Sequence, residues 1–282
     1  MDLLQKILDC KEEEVNAIVK QAIEDADAKS NKVEELSPVF FSRPFKGFIP
    51  LNARIKYIGL ALESYSMQTT DFMYEFAHFI KKNNINSKGR LIYALGLFIN
   101  SYFGLPDRVL KERREQIFFT DIYSKTKSES DVDLFKALEN NKIGDLKHKD
   151  AAQCTERAAL AQQILSLFGT ESYYCFGCLG IGKDQEGHAF NVIKRENDYA
   201  VLDYSCVVKS YNKENLLNAY FPFIGILSNE EFADFINNKK IKRFQNYEFF
   251  DNKSRPTTGE RIYVVGEMSI DKEKIDHELE RE

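Results

Sequence analysis

Hydrophobic positions recur at helical spacing along the first third of the chain. Between residues 2 and 28, leucine, isoleucine and valine repeat every three or four positions with acidic residues between them, which predicts one amphipathic surface helix. The segment SRPFKGFIP interrupts this pattern with two prolines and a glycine. Helical periodicity then resumes over residues 52–65, 71–82 and 89–103. We therefore expect a helical N-terminal region.

The pattern changes twice further along the chain. Residues 107–119 and 131–140 predict two more helices, and the polar segment SKTKSES between them predicts an exposed loop. After Gly169 the chain becomes rich in aromatic residues: SYYCFGCLGI predicts a strand, and HAFNVIKR and DYAVLDYS, joined by the turn residues REND, predict a β-hairpin. SNEEFADFINNK predicts a helix with a capping box between Ser228 and Glu231, and NYEFFD and RIYVVGEM predict late strands.

The order of these elements, helices first and strands later, predicts an α+β fold. We divide the chain into a helical N-terminal region (residues 1–105), a core in which one helix packs on an antiparallel sheet (106–268) and a charged C-terminal tail (269–282).

Composition and charge narrow the function. The apolar share of 43%, the charged share of 29% and the lack of a long apolar segment predict a soluble protein that does not enter membranes. The net charge is −5 and no basic stripe is present, so nucleic acid is not an expected partner. Five cysteines do not suggest a disulfide framework, and the start MDLLQKILDCKEEE does not resemble a signal peptide, so we expect a cytoplasmic location. The oligomeric state stays open, and no cofactor is expected.

The segment KDAAQCTERAALAQQILSLFG places a cysteine at the front of a helix that is apolar on nearly all sides. Asp150 is the predicted N-cap, with Gln153 completing a capping box, so Cys154 is expected at the end of the first turn. There the free N–H groups and the helix dipole favour a thiolate over a thiol. A buried cysteine is more often a packing residue, so the reactive interpretation depends on catalytic partners elsewhere in the chain.

A nucleophilic cysteine needs a base, and the base needs a group that fixes its tautomer. His188 opens one strand of the predicted hairpin, and Asp203 lies near the end of the other. A two-residue turn at 196–197 would pair His188 with Ser205 and Asp203 with Phe190, which makes His188 and Asp203 diagonal neighbours on one face. A three-residue loop without a bulge would separate them onto opposite faces.

The segments AAQCTERAALAQQILSLFG, GHAFNVI and YAVLDYS resemble, in this order, the cysteine helix, histidine strand and aspartate strand of the transglutaminase-like superfamily of papain-like cysteine enzymes. The resemblance spans roughly residues 145–205. It implies a papain-like core, with Cys154 as nucleophile, His188 as general base and acid, and Asp203 as the group that orients the imidazole. The implied substrate is a protein or a peptide.

The chain also departs from the family. Ala152 and Gln153 stand where many members have a glycine close before the cysteine, Phe190 replaces a common tryptophan, and the chain contains no tryptophan at all. The indole that helps to bind the oxyanion in transglutaminases is therefore missing. We expect an oxyanion site made from the Cys154 N–H and the side-chain amide of Gln153. We accordingly expect a cysteine peptidase or deamidase rather than a crosslinking enzyme.

Two other functions fit the sequence. Some members of the superfamily are inactive, so the chain could be a binding or scaffolding protein that retains the fold without turnover. Cys175 and Cys178 form a C-x-x-C pair that could bind zinc together with Cys206. However, residues three apart in a strand point to opposite faces unless a bulge intervenes, so no metal site is expected.

Overall fold

The computed structural model describes residues 2–30, 35–36, 44–56, 64–104, 142–148, 152–179, 186–209, 220–237, 242–250 and 253–265. The α-helices in these ranges are α1 (Leu3–Asp9), α2 (Val15–Lys29), α3 (Thr70–Lys82), α4 (Lys88–Phe103), α5 (Cys154–Leu167) and α6 (Asn229–Asn237). The strands are β1 (Glu35–Leu36), β2 (Phe45–Lys46), β3 (Arg54–Lys56), β4 (Ser64–Ser66), β5 (Ser172–Leu179), β6 (Glu186–Lys194), β7 (Tyr199–Lys209), β8 (Tyr220–Leu227), β9 (Lys242–Phe250) and β10 (Lys253–Val265). The fold mixes helices and sheet, as the predicted α+β class requires.

The main sheet has the strand order β8-β7-β6-β5-β10-β9, and β2 pairs with β5 beside β10. Its two outermost strands approach each other, because the Ile224 N–H donates to Asn246 Oδ1 at 3.0 Å. Gly225 permits this approach, since a Cβ atom there would lie 2.5 Å from the ring of Phe244. The sheet therefore curls and has an inner and an outer face.

The inner face encloses a core that is rich in aromatic side chains and is covered by α6. This inner core consists of Cys175, Phe190, Val192, Tyr199, Val201, Phe223, Leu227, Phe235, Ile236, Phe244, Tyr263 and Val265. The outer face carries Tyr174, Ala189, Ile193, Ala200 and Leu202, which pack against α5 and the N-terminal helices in one continuous core. Helix α5 is thus packed on an antiparallel sheet, as predicted.

The prediction of one unbroken helix over residues 2–28 is wrong. Helix α1 ends at Asp9, a short 3₁₀ turn follows at Glu12–Glu14, and α2 begins at Val15. The break has a tertiary cause, because the Lys81 ammonium group on α3 donates to the carbonyl oxygens of Ile7 and Leu8 at 3.0 Å each. These bonds satisfy the last carbonyls of α1 from outside the helix.

The predicted helix over residues 52–65 is wrong at both of its ends. Strand β3 pairs antiparallel with β4, and β1 pairs parallel with β3, in a separate three-stranded sheet. Residues 57–63 between the two paired strands lie outside the described ranges. A short apolar run does not distinguish helix from strand by its periodicity, and here the pairing decides the outcome.

Most other elements follow the prediction. Helices α3 and α4, strand β5 and the hairpin of β6 and β7 lie where the pattern placed them. Strands β9 and β10 overlap the predicted strands but begin four and eight residues earlier, and β1, β2 and β8 were not predicted. The capping box of α6 forms in both directions, through Ser228 N–H to Glu231 Oε2 at 2.6 Å and Glu231 N–H to Ser228 Oγ at 3.2 Å. Residues 107–119, 124–130, 131–140 and 269–282 lie outside the described ranges. None of the helices in the described part of the chain is both long and apolar enough to cross a membrane.

Candidate active site

Cys154 is the first residue of α5, and Gln153 is the N-cap. The prediction that Asp150 caps the helix and that Cys154 ends the first turn is therefore wrong; Asp150 itself lies outside the described residues. The Glu156 carboxylate accepts a hydrogen bond from the Gln153 N–H at 3.0 Å, which fixes the start of the helix at this point. Cys154 thus lies closer to the positive end of the helix dipole than the sequence suggested.

A buried arginine anchors the segment that precedes the cysteine. Arg157 donates through Nε to the Ala152 carbonyl oxygen at 3.0 Å, through Nη1 to Asn100 Oδ1 at 2.8 Å and through Nη2 to the Gly104 carbonyl oxygen at 2.5 Å. Asn100 lies on α4, and Gly104 directly follows that helix. The helical N-terminal region therefore holds the approach to Cys154 in place.

The Cys154 side chain is half-buried and packs against the outer-face core. Its sulfur lies 3.9 Å from Thr155 Oγ1. Burial raises the pKa of Tyr174 on β5, and electrostatic interactions with Cys154 and Glu156 raise it further, which indicates that both groups lie near that strand.

His188 and Asp203 form a buried pair on neighbouring strands. His188 Nε2 lies 2.6 Å from Asp203 Oδ2, with the two side chains 6% and 0% exposed. Strands β6 and β7 pair Asn191 with Leu202 and Val192 with Val201, which is the register expected from a turn at 196–197. The prediction that this register makes His188 and Asp203 diagonal neighbours is confirmed.

Asp203 accepts hydrogen bonds from residues other than His188. Its Oδ1 accepts from the Ser205 N–H at 2.9 Å and the Ser205 hydroxyl at 2.8 Å, and its Oδ2 also accepts from the Tyr263 hydroxyl at 2.8 Å. The register between β7 and β8 shifts after Asp203 and resumes at Val207, so Ser205 lies in a bulge that returns it to the carboxylate. The proposed pairing already placed Ser205 opposite His188, but no feature of RIYVVGEM pointed to Tyr263.

The strand pleat sends His188 and Ala189 to opposite faces of the sheet. Ala189 belongs to the outer core, whereas the ring of His188 lies 6.1 Å from that of Tyr263 on the inner face. The side-chain amide of Asn191 donates to the Ala158 carbonyl oxygen at 3.0 Å. Cys154 lies four residues before Ala158 on α5, which is about 6 Å along the helix axis. This length corresponds to about two residues along β6, so the start of α5 lies level with Ala189.

Cys154 therefore begins its helix beside the strand segment that carries His188, but on the other face. Within the described residues, no hydrogen bond joins the Cys154 sulfur to the His188 ring. Gln153 is half-buried at the N-cap, and its assignment as an oxyanion donor stays a prediction.

The other described cysteines differ from Cys154. Cys175 belongs to the inner core, and Cys178, three residues later on a strand paired without a bulge, points to the outer face as predicted. Burial raises the pKa of Cys175, and it raises that of Cys178 to about 11 although the nearby His188 lowers it. The side chain of Cys206 lies outside the described residues. Cys175 and Cys178 are separated by the sheet, and among the described residues no group of three or more histidine, cysteine or acidic side chains could hold a metal ion.

The site thus combines a cysteine at a helix N-terminus, a buried histidine–carboxylate pair and two hydroxyl groups that bind the carboxylate. Comparison of the chain with protein-family models, with curated proteins and with solved structures found no match.

Proposed function

We propose that the protein is a thiol-dependent acyl-transfer enzyme that acts on an amide, with a transglutaminase-like, papain-like core and the triad Cys154, His188 and Asp203. The observation that carries this proposal is the buried pair of His188 and Asp203 at 2.6 Å. A buried ionisable pair is costly unless its partners are well satisfied, and such pairs concentrate at functional sites.

In this proposal the two ring nitrogens of His188 have different roles. Nε2 faces Asp203, so its N–H donates to the carboxylate, and Nδ1 is the atom that exchanges a proton with Cys154. The carboxylate stabilises the imidazolium that forms when the thiol loses its proton. Cys154 and His188 lie on opposite faces of the sheet, but within the described strands the pairing of β6 with β7 runs only from Asn191–Leu202 to Lys194–Tyr199 and does not reach His188. Their hydrogen bond is therefore proposed to form at this opening between the strands when substrate binds, because catalytic hydrogen bonds often tighten only in the bound state.

In the proposed reaction, the Cys154 thiolate attacks the carbonyl carbon of the amide, and a carbon–sulfur bond forms. The tetrahedral intermediate collapses, the carbon–nitrogen bond breaks, and His188 gives its proton to the departing amine or ammonia. Water then attacks the thioester while His188 accepts a proton, and cleavage of the carbon–sulfur bond releases the acid and restores the cysteine. The Cys154 N–H and the Gln153 amide are the proposed donors to the oxyanion.

The first experiment measures which cysteine is reactive. The native protein is treated with iodoacetamide at pH 6.5, and each labelled cysteine is identified by mass spectrometry over time. Cys154 should react about tenfold or more faster than Cys10, a half-buried cysteine in the same chain that serves as the internal control. The variant His188→Ala should lower labelling of Cys154 to the rate of Cys10, and equal labelling of both cysteines in the native protein would contradict the proposal.

A second experiment separates the possible reactions. The protein is incubated with a mixed peptide substrate, and three products are measured: new peptide amino termini for a peptidase, ammonia for a deamidase, and incorporation of an added primary amine for a transferase. We expect one of the first two, and Cys154→Ala should abolish it. Amine incorporation without hydrolysis would reverse our preference for hydrolysis.

A non-catalytic binding protein is the second candidate. The observation that favours it is the contact of the Cys154 sulfur with Thr155 rather than with His188. This candidate predicts that Cys154 and Cys10 react at the same rate and that His188→Ala changes neither rate.

A further inference from the structure

We propose that Tyr263 is a positioning residue of the triad, which acts on His188 through Asp203. This inference rests on the proposed function. It concerns a residue of the last described strand, far in sequence from the segments that carry the cysteine, histidine and aspartate.

Tyr263 and His188 share one carboxylate oxygen. Asp203 Oδ2 lies 2.6 Å from His188 Nε2 and accepts from the Tyr263 hydroxyl at 2.8 Å, while Oδ1 receives both donors of Ser205. Four donors occupy the main acceptor positions of a carboxylate that has no exposure to solvent. The carboxylate is therefore held in its ionised form and in one orientation.

The tyrosine ring is itself fixed. It is fully buried, and its centroid lies 5.0 Å from that of Phe190, 5.8 Å from that of Phe223 and 5.9 Å from that of Phe244. Its backbone pairs with Leu179 on β5. A ring enclosed on several sides has one position available, so its hydroxyl defines the position of Oδ2.

Loss of this hydroxyl would act on the histidine. Asp203 Oδ2 would keep an unsatisfied acceptor position in a buried site, and the carboxylate could rotate or take up a proton. Either change weakens the bond that keeps the proton on His188 Nε2. Nδ1 would then be a poorer acceptor for the cysteine proton, although Tyr263 touches neither the cysteine nor the substrate in the proposed reaction.

Among the described residues, other titratable and charged groups near the pair come from β5, α5 and β10. Cys178 on β5 interacts electrostatically with His188, and Cys154 begins α5 on the outer face. Arg261 lies two residues before Tyr263 on β10, 6.0 Å from the ring of Phe223, the residue that pairs with Asp203. None of these groups is altered by a Tyr263→Phe substitution, which removes one hydroxyl and keeps the ring.

The test compares Tyr263→Phe with the unaltered protein in iodoacetamide labelling of Cys154 between pH 5.5 and 8.5. We expect labelling at pH 6 to fall about tenfold, as for loss of one hydrogen bond to a charged group. We also expect fast labelling to persist over a narrower pH range, because the imidazolium–thiolate pair is less stable. The control is Tyr204→Phe on the neighbouring outer-face position, whose hydroxyl contacts only the Ile92 carbonyl oxygen at 3.5 Å among the described residues; it should leave the profile unchanged.

A graded variant refines the test. Ser205→Ala removes one of two donors to Oδ1 and leaves the Ser205 N–H in place, so we expect a smaller effect than that of Tyr263→Phe. Thermal unfolding of each variant confirms that labelling is measured on folded protein. A measurement on the unaltered protein requires no variant: the Tyr263 hydroxyl proton should exchange slowly with solvent and show a nuclear Overhauser effect to the His188 ring.

The outcomes separate this inference from the proposed function. If Cys154 of the unaltered protein reacts no faster than Cys10, the proposed function fails. If Cys154 is activated but Tyr263→Phe and Tyr204→Phe give the same profile, or if the hydroxyl proton exchanges rapidly, only the positioning role of Tyr263 is overturned.

Discussion

The two faces of the main sheet bury polar side chains in different ways. On the outer face, the Gln162 amide donates to the carbonyl oxygens of Ser172 and Gly47, and the Gln163 amide donates to that of Ile49. Arg157 likewise binds two carbonyl oxygens. On the inner face, His188 and Asp203 bind each other. The outer polar groups thus bind backbone carbonyl oxygens and uncharged side chains, whereas the inner groups join one ionisable side chain to another.

This difference distinguishes polar groups that stabilise the fold from polar groups that are suited to take part in a reaction. A side chain that satisfies buried backbone carbonyls connects segments that have no regular pairing, and it needs no particular protonation state. What a buried histidine bonded to a carboxylate does depends on its protonation state. Such a pair is not required for stability, because hydrophobic residues of similar volume often stabilise a fold equally well. We therefore expect changes to the inner His188–Asp203 pair to alter reactivity, and changes to the outer polar groups that bind backbone carbonyls to alter the free energy of unfolding.

The largest expected effect follows from Asp203→Asn. The amide side chain would donate to His188 Nε2 and hold the wrong tautomer, so turnover of a peptide amide should fall by about 10⁴-fold. Labelling of Cys154 at pH 6.5 should fall to the rate of Cys10. The outer-face control is Thr69→Val, which breaks the buried bond from Thr69 Oγ1 to Gln163 Oε1 at 2.6 Å. That control should lower the free energy of unfolding by about 1 kcal/mol and leave labelling unchanged; equal loss of labelling in both variants would remove the distinction between the faces.

The second largest effect is expected from Arg157→Met, which should lower the free energy of unfolding. The substitution leaves the carbonyl oxygens of Ala152 and Gly104 without the donors that the arginine supplies, so the free energy of unfolding should fall by about 3 kcal/mol. Urea denaturation measures the change. Arg195→Met is the matched control, because the Arg195–Asp198 pair at 3.2 Å lies at the partly exposed hairpin turn and should contribute less than about 1 kcal/mol. An equal loss in the two variants would show that Arg157 has no special structural role.

How much of the site the sequence predicted depends on how far apart along the chain the interacting residues lie. The pairing of His188 with Asp203 depends on one hairpin, so the turn residues and the alternation of β6 and β7 were sufficient to predict it. The start of α5 was misplaced because Glu156, an ordinary helix residue by its type, accepts from the Gln153 N–H and so fixes Gln153 rather than Asp150 as the N-cap. Local rules state which caps are possible, but not which one the surrounding core selects.

Longer-range features could not be predicted in this way. Tyr263 reaches Asp203 only because the sheet order places β10 beside β5 and the sheet curls, and strand order is not encoded in the period of any one strand. The break after α1 depends on Lys81, more than seventy residues along the chain. The N-terminal strands β3 and β4 are too short for their period to compete with a helical pattern.

A smaller effect on stability should come from Gly225→Ala, which tests how the inner face is enclosed. The added methyl group would lie 2.5 Å from the Phe244 ring, so the free energy of unfolding should fall by about 2 kcal/mol as β8 and β9 move apart. Gly89→Ala on α4 is the matched control, since a Cβ atom there meets nothing within 4 Å. That control should be neutral or slightly stabilising. A curled sheet is contradicted if both glycines accept alanine equally well in thermal unfolding.

The smallest expected effect is that of Cys178→Ala on the labelling of Cys154. Because the pKa of Cys178 is raised to about 11, only about one molecule in a thousand carries its thiolate at pH 8, and burial shields it further. Labelling of Cys154 should therefore change by less than about twofold. Cys175→Ala on the inner face is the parallel control, because burial raises the pKa of that thiol as well. If Cys178→Ala instead removed the fast labelling, Cys178 would be the thiol activated by His188, and the reactive cysteine would lie on β5 rather than at the start of α5.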